Sequence, residues 1–360
     1  MSYKYKRVVV KVGSNVLSCA DGTLDVSRMS ALVDQIAQLR SAGVELVLVS
    51  SGAVAAGRSE FTPCTRLDSV DQRQLFSAIG QAKLINHYYE LFRCHDICAG
   101  QILTTRESFC TRRHYLNQRN CMMVMLQNGV VPIVNENDTI SVTELMFTDN
   151  DELSGLIASM LDAEALVILS NVDGIYDGPP SDARSKVIRE VTPDRDLAEY
   201  IQAEHSDFGR GGMLTKASIA RKIADEGVAV YIANGKKDNI LLQILQDESS
   251  AVCTHFVPSH TISSVKRWIA HSDGFAKGEI HLNRQAVAVL RGDKAVSLLP
   301  VGVEKVEGDF EKDDIVRIMD EDQCQIGVGR VSADAAQARE QIGKHGMKPL
   351  VHYDYLYLEQ

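Results

Sequence analysis

Apolar runs alternate with helically spaced apolar residues along the first two thirds of the chain. Runs that predict buried strands lie at residues 8–12, 44–49, 97–103, 130–134, 165–169 and 228–233. Between them, apolar residues recur every three or four positions, as Leu32, Val33, Ile36 and Leu39 do after a capping Ser27, which is typical of one buried helix face. This alternation predicts an α/β fold, with an open, mostly parallel sheet sandwiched by helices.

The last part of the chain has a different pattern. Residues 247–264 are rich in serine, threonine and histidine, and we interpret them as a linker. Beyond them, short runs at 286–290, 296–299 and 315–318 are separated by glycine and aspartate, which predicts a small β-rich domain. We therefore expect one domain over residues 1–250 and a second over residues 264–360.

Composition is that of an ordinary globular protein, with 45% hydrophobic and 24% charged residues. No apolar run approaches the roughly 20 residues of a membrane helix, and residues 1–7 lead into a strand rather than a signal-peptide core. We expect a cytoplasmic protein whose eight cysteines are reduced and mostly buried. The formal charge of -10 opposes nonspecific attraction to nucleic acid or anionic lipid.

Polar and glycine-rich clusters follow the predicted strands and precede the predicted helices. They are Gly13-Ser14-Asn15, Ser50-Ser51-Gly52-Ala53, Asn135-Glu136-Asn137-Asp138, Asp149-Asn150-Asp151, Ser170-Asn171-Val172-Asp173-Gly174 and Gly211-Gly212-Met213-Leu214-Thr215-Lys216. Because parallel strands end at the same edge of a sheet, we expect these clusters to line one crevice. Any one cluster could serve only turns and caps, with Asp149 or Asn150 capping a helix, but several in one region favour a binding site.

Two lysines add positive charge to the predicted crevice. Lys11 interrupts a buried strand and needs a partner, unless it reaches solvent from the strand end, and Lys216 lies just inside a helix start. The signature motifs of P-loop kinases, protein kinases and serine hydrolases are absent from the sequence. Lysines, glycine-rich turns and a nest of Asp and Asn still suit phosphoryl transfer, which depends mainly on positioning and charge neutralisation.

These segments resemble the amino acid kinase family and, within it, the glutamate 5-kinases. The resemblance covers nearly the whole chain, and the segment from Lys266 to Gly302 looks like the PUA domain that many glutamate 5-kinases carry. It implies the amino acid kinase fold and ATP-dependent phosphorylation of the γ-carboxylate of L-glutamate to L-glutamyl 5-phosphate, the first step of proline biosynthesis. It further implies Mg²⁺ bound with ATP, and it suggests feedback inhibition by proline and a homo-oligomer.

The resemblance also assigns roles to individual residues. Lys11 and Lys216 would contact the transferring phosphoryl group, and Asp151 would hold both lysines in position. Glutamate would be bound by Ser51, Gly52, Asn135, Asp138 and Asn150. ATP would be bound by Lys11, Ser170, Asn171, Arg210, Gly211, Gly212, Met213 and Lys216. No side chain is expected to be a direct metal ligand, because Mg²⁺ usually keeps water and phosphate ligands.

Alternative interpretations remain open. Much of the family has an aspartate where this chain has Asn171, and Asp173 could take its place. The acceptor could instead be N-acetylglutamate, aspartate or a nucleoside monophosphate, although the PUA-like tail argues against each. A catalytically impaired RNA-binding or regulatory protein is a further alternative, which the tail's balance of 13 Lys+Arg against 16 Asp+Glu disfavours. Asp151 could be an ordinary first-turn acidic residue; we expect Asp151→Asn to abolish turnover while sparing thermal stability.

Overall fold

The computed structural model describes residues 3–109, 112–141, 147, 149–178, 182, 184–193, 212–246, 251–259, 269, 276–292 and 296–358. The chain divides into two compact units, residues 1–261 and residues 262–360. None of the helices in the described part is long and apolar enough to cross a membrane.

The larger unit is built on an eight-stranded sheet. Its strands are β1 (Arg7–Val12), β2 (Glu45–Ser50), β3 (Ala99–Thr104), β4 (Val131–Glu136), β5 (Ala165–Ser170), β6 (Glu190–Val191), β7 (Ala229–Asn234) and β8 (Cys253–Phe256). They lie in the order β3-β4-β2-β1-β5-β7-β8-β6, and only the β7–β8 pair is antiparallel. The predicted open, mostly parallel sheet is confirmed.

Helices cover both faces of this sheet. They are α1 (Ser14–Leu17), α2 (Val26–Ser41), α3 (Ala53–Glu60), α4 (Ser69–Arg93), α5 (Arg112–Gln127), α6 (Asn150–Met160), α7 (Met213–Asp225) and α8 (Ile240–Gln246). Val8, Val10 and Val12 of β1 share one core cluster with apolar residues of α2, α4 and α8. Because side chains alternate along a strand, Val9 and Lys11 point to the opposite face, where α6 contacts β1. The fold thus directs Lys11 toward α6.

Helices α3 and α4 pack against each other at two glycines. A Cβ atom on Gly80 would lie 1.8 Å from the carbonyl oxygen of Ala53, and one on Gly57 would lie 1.9 Å from that of Phe76. Only glycine permits this approach of the two backbones. Phe76, Leu84, Ile85, Tyr88 and Phe92 of α4 are buried, so this helix packs in the core.

The predictions for the linker, for the start of α2 and for the cysteines were wrong. The stretch interpreted as a linker contains β8, whose residues Cys253 and Phe256 are buried in the sheet. Helix α2 begins before Ser27, because the Asp25 side chain accepts a hydrogen bond from the backbone N–H of Arg28. Of the cysteines that the structure describes, Cys253 is buried and the other six are exposed, although all are free thiols.

The smaller unit contains a five-stranded sheet, as the predicted β-rich domain requires. Its strands are β9 (Gly278–Leu282), β10 (Val303–Gly308), β11 (Ile315–Met319), β12 (Gln325–Val331) and β13 (Val351–Leu358), in the order β10-β9-β11-β12-β13. The described part of this unit also contains the short helices α9 (Arg284–Leu290) and α10 (Ala335–Gln341). The strand predicted at 286–290 is therefore wrong: it is α9, which Asn283 caps by accepting from the N–H of Ala286. The run at 296–299 contributes only a single bridge, between Leu298 and Val351.

Candidate functional site

Six parallel strands end at one edge of the larger sheet. β1, β2, β3, β4, β5 and β7 run in the same direction, so the segments that follow them lie at this edge. Helix α3 begins directly after β2, and side chains from the first turns of α6 and α7 reach the same place. The predicted crevice is therefore formed by strand ends and helix N-termini, whose free N–H groups favour anions.

A buried carboxylate lies between two lysines at the centre of this edge. Asp151 Oδ1 is 2.5 Å from Lys11 Nζ, and Asp151 Oδ2 is 2.7 Å from Lys216 Nζ. The Asp151 side chain is fully buried, and those of Lys11 and Lys216 are 6% and 12% exposed. Lys11 therefore does not reach solvent from its strand end, and that interpretation is wrong. Burial opposes the charge of Asp151, but the two lysines outweigh it and hold its pKa below the ordinary value.

Asp149 sets the position of Asp151. Its Oδ1 accepts hydrogen bonds from the backbone N–H groups of Asp151 (2.8 Å) and Glu152 (3.1 Å), so it caps α6, which confirms one of the two predicted caps. Its Oδ2 is buried and has no hydrogen-bond partner among the described residues. Burial, together with the nearby charge of Asp151, raises the pKa of Asp149 to about 6, although Lys11 and Lys216 act in the opposite direction. Sequence reasoning gave Asp149 no role beyond the cap.

The amide of Asn150 joins three of the predicted substrate-binding segments. Its Nδ2 lies 2.9 Å from Ser51 Oγ, 3.0 Å from Asn135 Oδ1 and 3.2 Å from the carbonyl oxygen of Ser50. Gly52 follows with φ +104°, a left-handed conformation that turns the chain from β2 into α3. Ser51, Gly52, Asn135 and Asn150 are thus brought together, beside the Asp151 that binds both lysines.

Asp138 also lies at this edge, and it binds an arginine that sequence reasoning missed. Arg73 Nε donates to Asp138 Oδ1 over 2.6 Å, and Arg73 Nη2 donates to Glu136 Oε2 over 2.7 Å. Arg73 belongs to α4, far from any motif in the sequence. One signal was available: two carboxylates at the end of a buried strand require a nearby cation.

The residues predicted to bind ATP lie beyond β5 and at the start of α7. Ser170 ends β5 and is buried, whereas Asn171 is exposed. Gly212 precedes α7, which begins at Met213, so Lys216 lies in the first turn, just inside the helix start as predicted. Arg210 and Gly211 lie outside the described residues.

Asp173 has partners of its own at this corner. Its carboxylate accepts from Asn234 Nδ2 over 2.9 Å and from Lys237 Nζ over 2.7 Å. Partial burial opposes the charge, but these hydrogen bonds prevail and lower the pKa of Asp173 below its ordinary value. The structure thus does not favour Asp173 as a replacement for an aspartate at position 171, because Asn234 and Lys237 already contact its carboxylate.

Comparison with known proteins shows the family of this chain. The family model described as "Amino acid kinase family" matches residues 6–234, and that of the PUA domain matches residues 278–352. The chain belongs to the amino acid kinase family. It is 69% identical to a protein named glutamate 5-kinase from Bacteroides thetaiotaomicron over 100% of both chains, and 47% identical to one from Chlorobaculum tepidum over 98% of each. A solved UMP kinase from Bacillus anthracis is 15% identical, with a TM-score of 0.49 over 72% of this chain and 98% of that one.

The candidate site of this amino acid kinase has a positively charged part and a part lined by amides and carboxylates. One part holds Lys11, Lys216 and the N-terminus of α7, which together favour the phosphates of a nucleotide. The other part holds the amides of Asn135 and Asn150 and the carboxylates of Asp138 and Asp149. These groups suit the polar end of an amino acid, and Asp151 lies between the two parts.

The raised pKa of Asp149 predicts a pH dependence of stability. Between about pH 4 and about pH 6, the Asp149 carboxyl group is protonated in the folded protein but ionised in the unfolded chain. The stabilisation that is present at low pH is therefore lost as the pH rises through about 6. We expect the free energy of unfolding of the wild type, relative to Asp149→Asn, to fall from pH 4.5 to pH 6.5 and to level off above. Asparagine retains the cap of α6. Urea titrations of both proteins across this range measure the difference, and a constant difference would contradict the assignment.

Proposed function

We propose that this amino acid kinase transfers the γ-phosphoryl group of ATP to the γ-carboxylate of L-glutamate, giving L-glutamyl 5-phosphate in the first step of proline biosynthesis. The observation that carries the proposal is Asp151, which binds Lys11 and Lys216 and lies next to the amide cluster of Asn135 and Asn150. The full-length likeness to proteins named glutamate 5-kinase supports the same acceptor.

The chemistry requires no general base. A γ-carboxyl group has an unperturbed pKa near 4.3, so at neutral pH it is already the nucleophile. One carboxylate oxygen forms a bond to the γ-phosphorus, the bond from that phosphorus to the β–γ bridging oxygen breaks, and ADP leaves with the electron pair. The obstacle is the repulsion between two anions, which cations in a site shielded from water can offset.

Lys11 and Lys216 are the residues proposed to supply this positive charge. Their ammonium groups point at the two oxygens of the same carboxylate, so Asp151 fixes both at one place. The lowered pKa keeps Asp151 ionised at neutral pH, so its negative charge helps to hold both lysines in place. We place the transferring phosphoryl group against these lysines, with Ser170, Asn171, Gly212 and Met213 as nucleotide contacts, together with Arg210 and Gly211.

The amino acid end of glutamate is proposed to bind where carboxylates and amides converge. Asp138 and the unpartnered Oδ2 of Asp149 can accept hydrogen bonds from an α-ammonium group, which an N-acylated substrate lacks. Ser51, Asn135 and Asn150 supply hydroxyl and amide groups, and Gly52 leaves room for close approach to the backbone. This arrangement favours a free amino acid over N-acetylglutamate.

Mg²⁺ is proposed to accompany ATP. Within the described residues, the one set of three side chains spaced for a metal is Glu279, His281 and Glu307 of the smaller unit, so none occurs at the kinase site. Such a site fits Mg²⁺ that keeps its water and phosphate ligands, and the ion would neutralise phosphate charge.

The remaining proposals concern feedback inhibition, oligomeric state and cellular location. Proline carries an α-carboxylate and a charged amine, as glutamate does, so it suits the same amino acid end and is proposed as a feedback inhibitor. We also propose that the enzyme is a homo-oligomer and works in the cytoplasm.

The acceptor is tested by measuring ADP release from MgATP with L-glutamate, N-acetyl-L-glutamate, L-aspartate and UMP in turn. Hydroxylamine is included to trap any acyl phosphate as a hydroxamate. Turnover and hydroxamate with L-glutamate alone are expected. Turnover with another member of the panel, and none with glutamate, would replace glutamate as the acceptor.

A further inference from the structure

Helix α4 presents a stripe of polar side chains to the predicted glutamate site. Arg73, Gln81 and Tyr88 are spaced eight and seven residues apart, so they lie along one face of the helix. Gln81 Oε1 accepts from Asn135 Nδ2 over 2.8 Å, and the hydroxyls of Tyr88 and Ser50 are 2.9 Å apart. Helix α4 also packs closely against α3 at Gly57 and Gly80, so it contacts both α3 and the ends of β2 and β4.

Arg73 is the charged member of this stripe. Its guanidinium donates to both Asp138 and Glu136, and the side chains of Arg73, Glu136 and Asp138 are only 14%, 7% and 12% exposed. A planar guanidinium donates from several nitrogens in a fixed geometry, so it holds the two carboxylates at a set separation. A lysine, with a compact charge on a flexible stem, does not impose that geometry.

The summed charge of these three groups favours a cationic ligand. Two carboxylates and one guanidinium sum to -1, which an α-ammonium group would neutralise. Burial, with the nearby charge of Asp138, raises the pKa of Glu136, and Arg73 acts against that shift. Without Arg73, two largely buried carboxylates would repel each other, and Asp138 would lose the contact that orients it.

We propose that Arg73 is the positioning residue that orients Asp138 for the α-ammonium group of the substrate, and that it thereby sets the preference for a free α-amino acid. The inference rests on the proposed glutamate kinase activity and deepens it. It assigns to α4, which carries none of the phosphoryl-transfer residues, control over the amino acid end of the site.

Kinetics of Arg73→Gln test the inference. The KM for L-glutamate is expected to rise by about 30-fold or more, as when one partner of a buried charge pair is removed, while kcat stays within about threefold and the KM for ATP is unchanged. Arg73→Lys keeps the positive charge but lacks the planar guanidinium, so it should raise the KM for L-glutamate less than Arg73→Gln does. This variant preserves the test if Arg73→Gln folds poorly. Arg93→Gln is the matched control on the same helix, because Arg93 is 76% exposed and pairs only with Glu90 in the described part; it should change neither KM nor thermal stability.

Two further readouts separate positioning from mere support of the fold. Glutarate lacks the α-ammonium group, so the preference for L-glutamate over glutarate in kcat/KM should shrink by about 10-fold or more in Arg73→Gln. In a double-mutant cycle with Asp138→Asn, the second substitution should add less than about threefold to the KM, because both act on one contact.

An unchanged KM, an unchanged glutarate preference or fully additive effects would overturn the role of Arg73. Those outcomes require a wild type that phosphorylates glutamate. A wild type that does not would instead contradict the proposed function, so the two failures are distinguishable.

Discussion

Asp151→Asn is expected to lower kcat by about 1000-fold and to reduce the free energy of unfolding by about 3 kcal/mol. The structure revises the expectation from sequence alone that stability survives this change. Asp151 is fully buried and is the carboxylate partner of both Lys11 and Lys216, so asparagine would leave two largely buried ammonium groups without their counter-charge. Steady-state turnover at saturating substrates and urea unfolding measure the two effects.

Glu152→Gln provides the matched control for this variant. Glu152 lies beside Asp151 in the first turn of α6, but its side chain is 24% exposed and lies 3.6 Å from Arg106. An acidic residue that only favours the helix dipole contributes about 0.3–1 kcal/mol, so Glu152→Gln should change stability by no more than that and should leave kcat within about threefold. If Asp151→Asn behaved like Glu152→Gln, Asp151 would be an ordinary first-turn residue and the proposed role would be wrong.

Lys216→Ala is expected to lower kcat by about 100-fold to 1000-fold, the loss typical of a group that stabilises charge in the transition state. Its effect on stability should be smaller than that of Asp151→Asn, because Lys11 would still neutralise the buried carboxylate. Lys11→Ala should lower kcat to a similar degree but cost more stability, since Lys11 lies within β1 and is the more deeply buried lysine. Turnover and thermal unfolding of both variants measure this difference.

The control is Lys222→Ala, which removes a positive charge from the other end of α7. Lys222 is exposed in the last turn of the helix, away from Asp151. The kcat of Lys222→Ala should stay within about twofold of the wild-type value, as expected for the loss of a surface charge remote from the reacting groups. A Lys216→Ala variant with kcat within about threefold of the wild type would remove Lys216 from the catalytic assignment.

The sequence predicted the parts of the structure that depend on local pattern. A continuous apolar run such as that of β1 can be buried only in the middle of a sheet, and the polar residues after it must then lie at the sheet edge. The same reasoning identified Lys11 as a lysine that needs a partner. The choice of Asp151 as that partner came from family resemblance, because nothing local to Lys11 indicates a residue 140 positions away.

The features that the sequence did not predict depend on distant contacts. Arg73 lies in a helix with polar residues on most sides, and only the fold shows that its guanidinium binds the carboxylates after β4. β8 is short and follows a polar stretch, so its place in the sheet depends on pairing with β7. The apolar run of α9 reads as a strand until Asn283 is recognised as its cap.

The most direct test of the central claim follows an oxygen atom from the γ-carboxylate of glutamate. L-Glutamate labelled with ¹⁸O in that group is incubated with the protein, MgATP and hydroxylamine, and the released inorganic phosphate is analysed by mass spectrometry. If the carboxylate attacks the γ-phosphorus, hydroxylamine then displaces phosphate at the acyl carbon, and each phosphate carries one ¹⁸O. Unlabelled phosphate would mean that water, rather than glutamate, received the phosphoryl group, and it would contradict the proposed function.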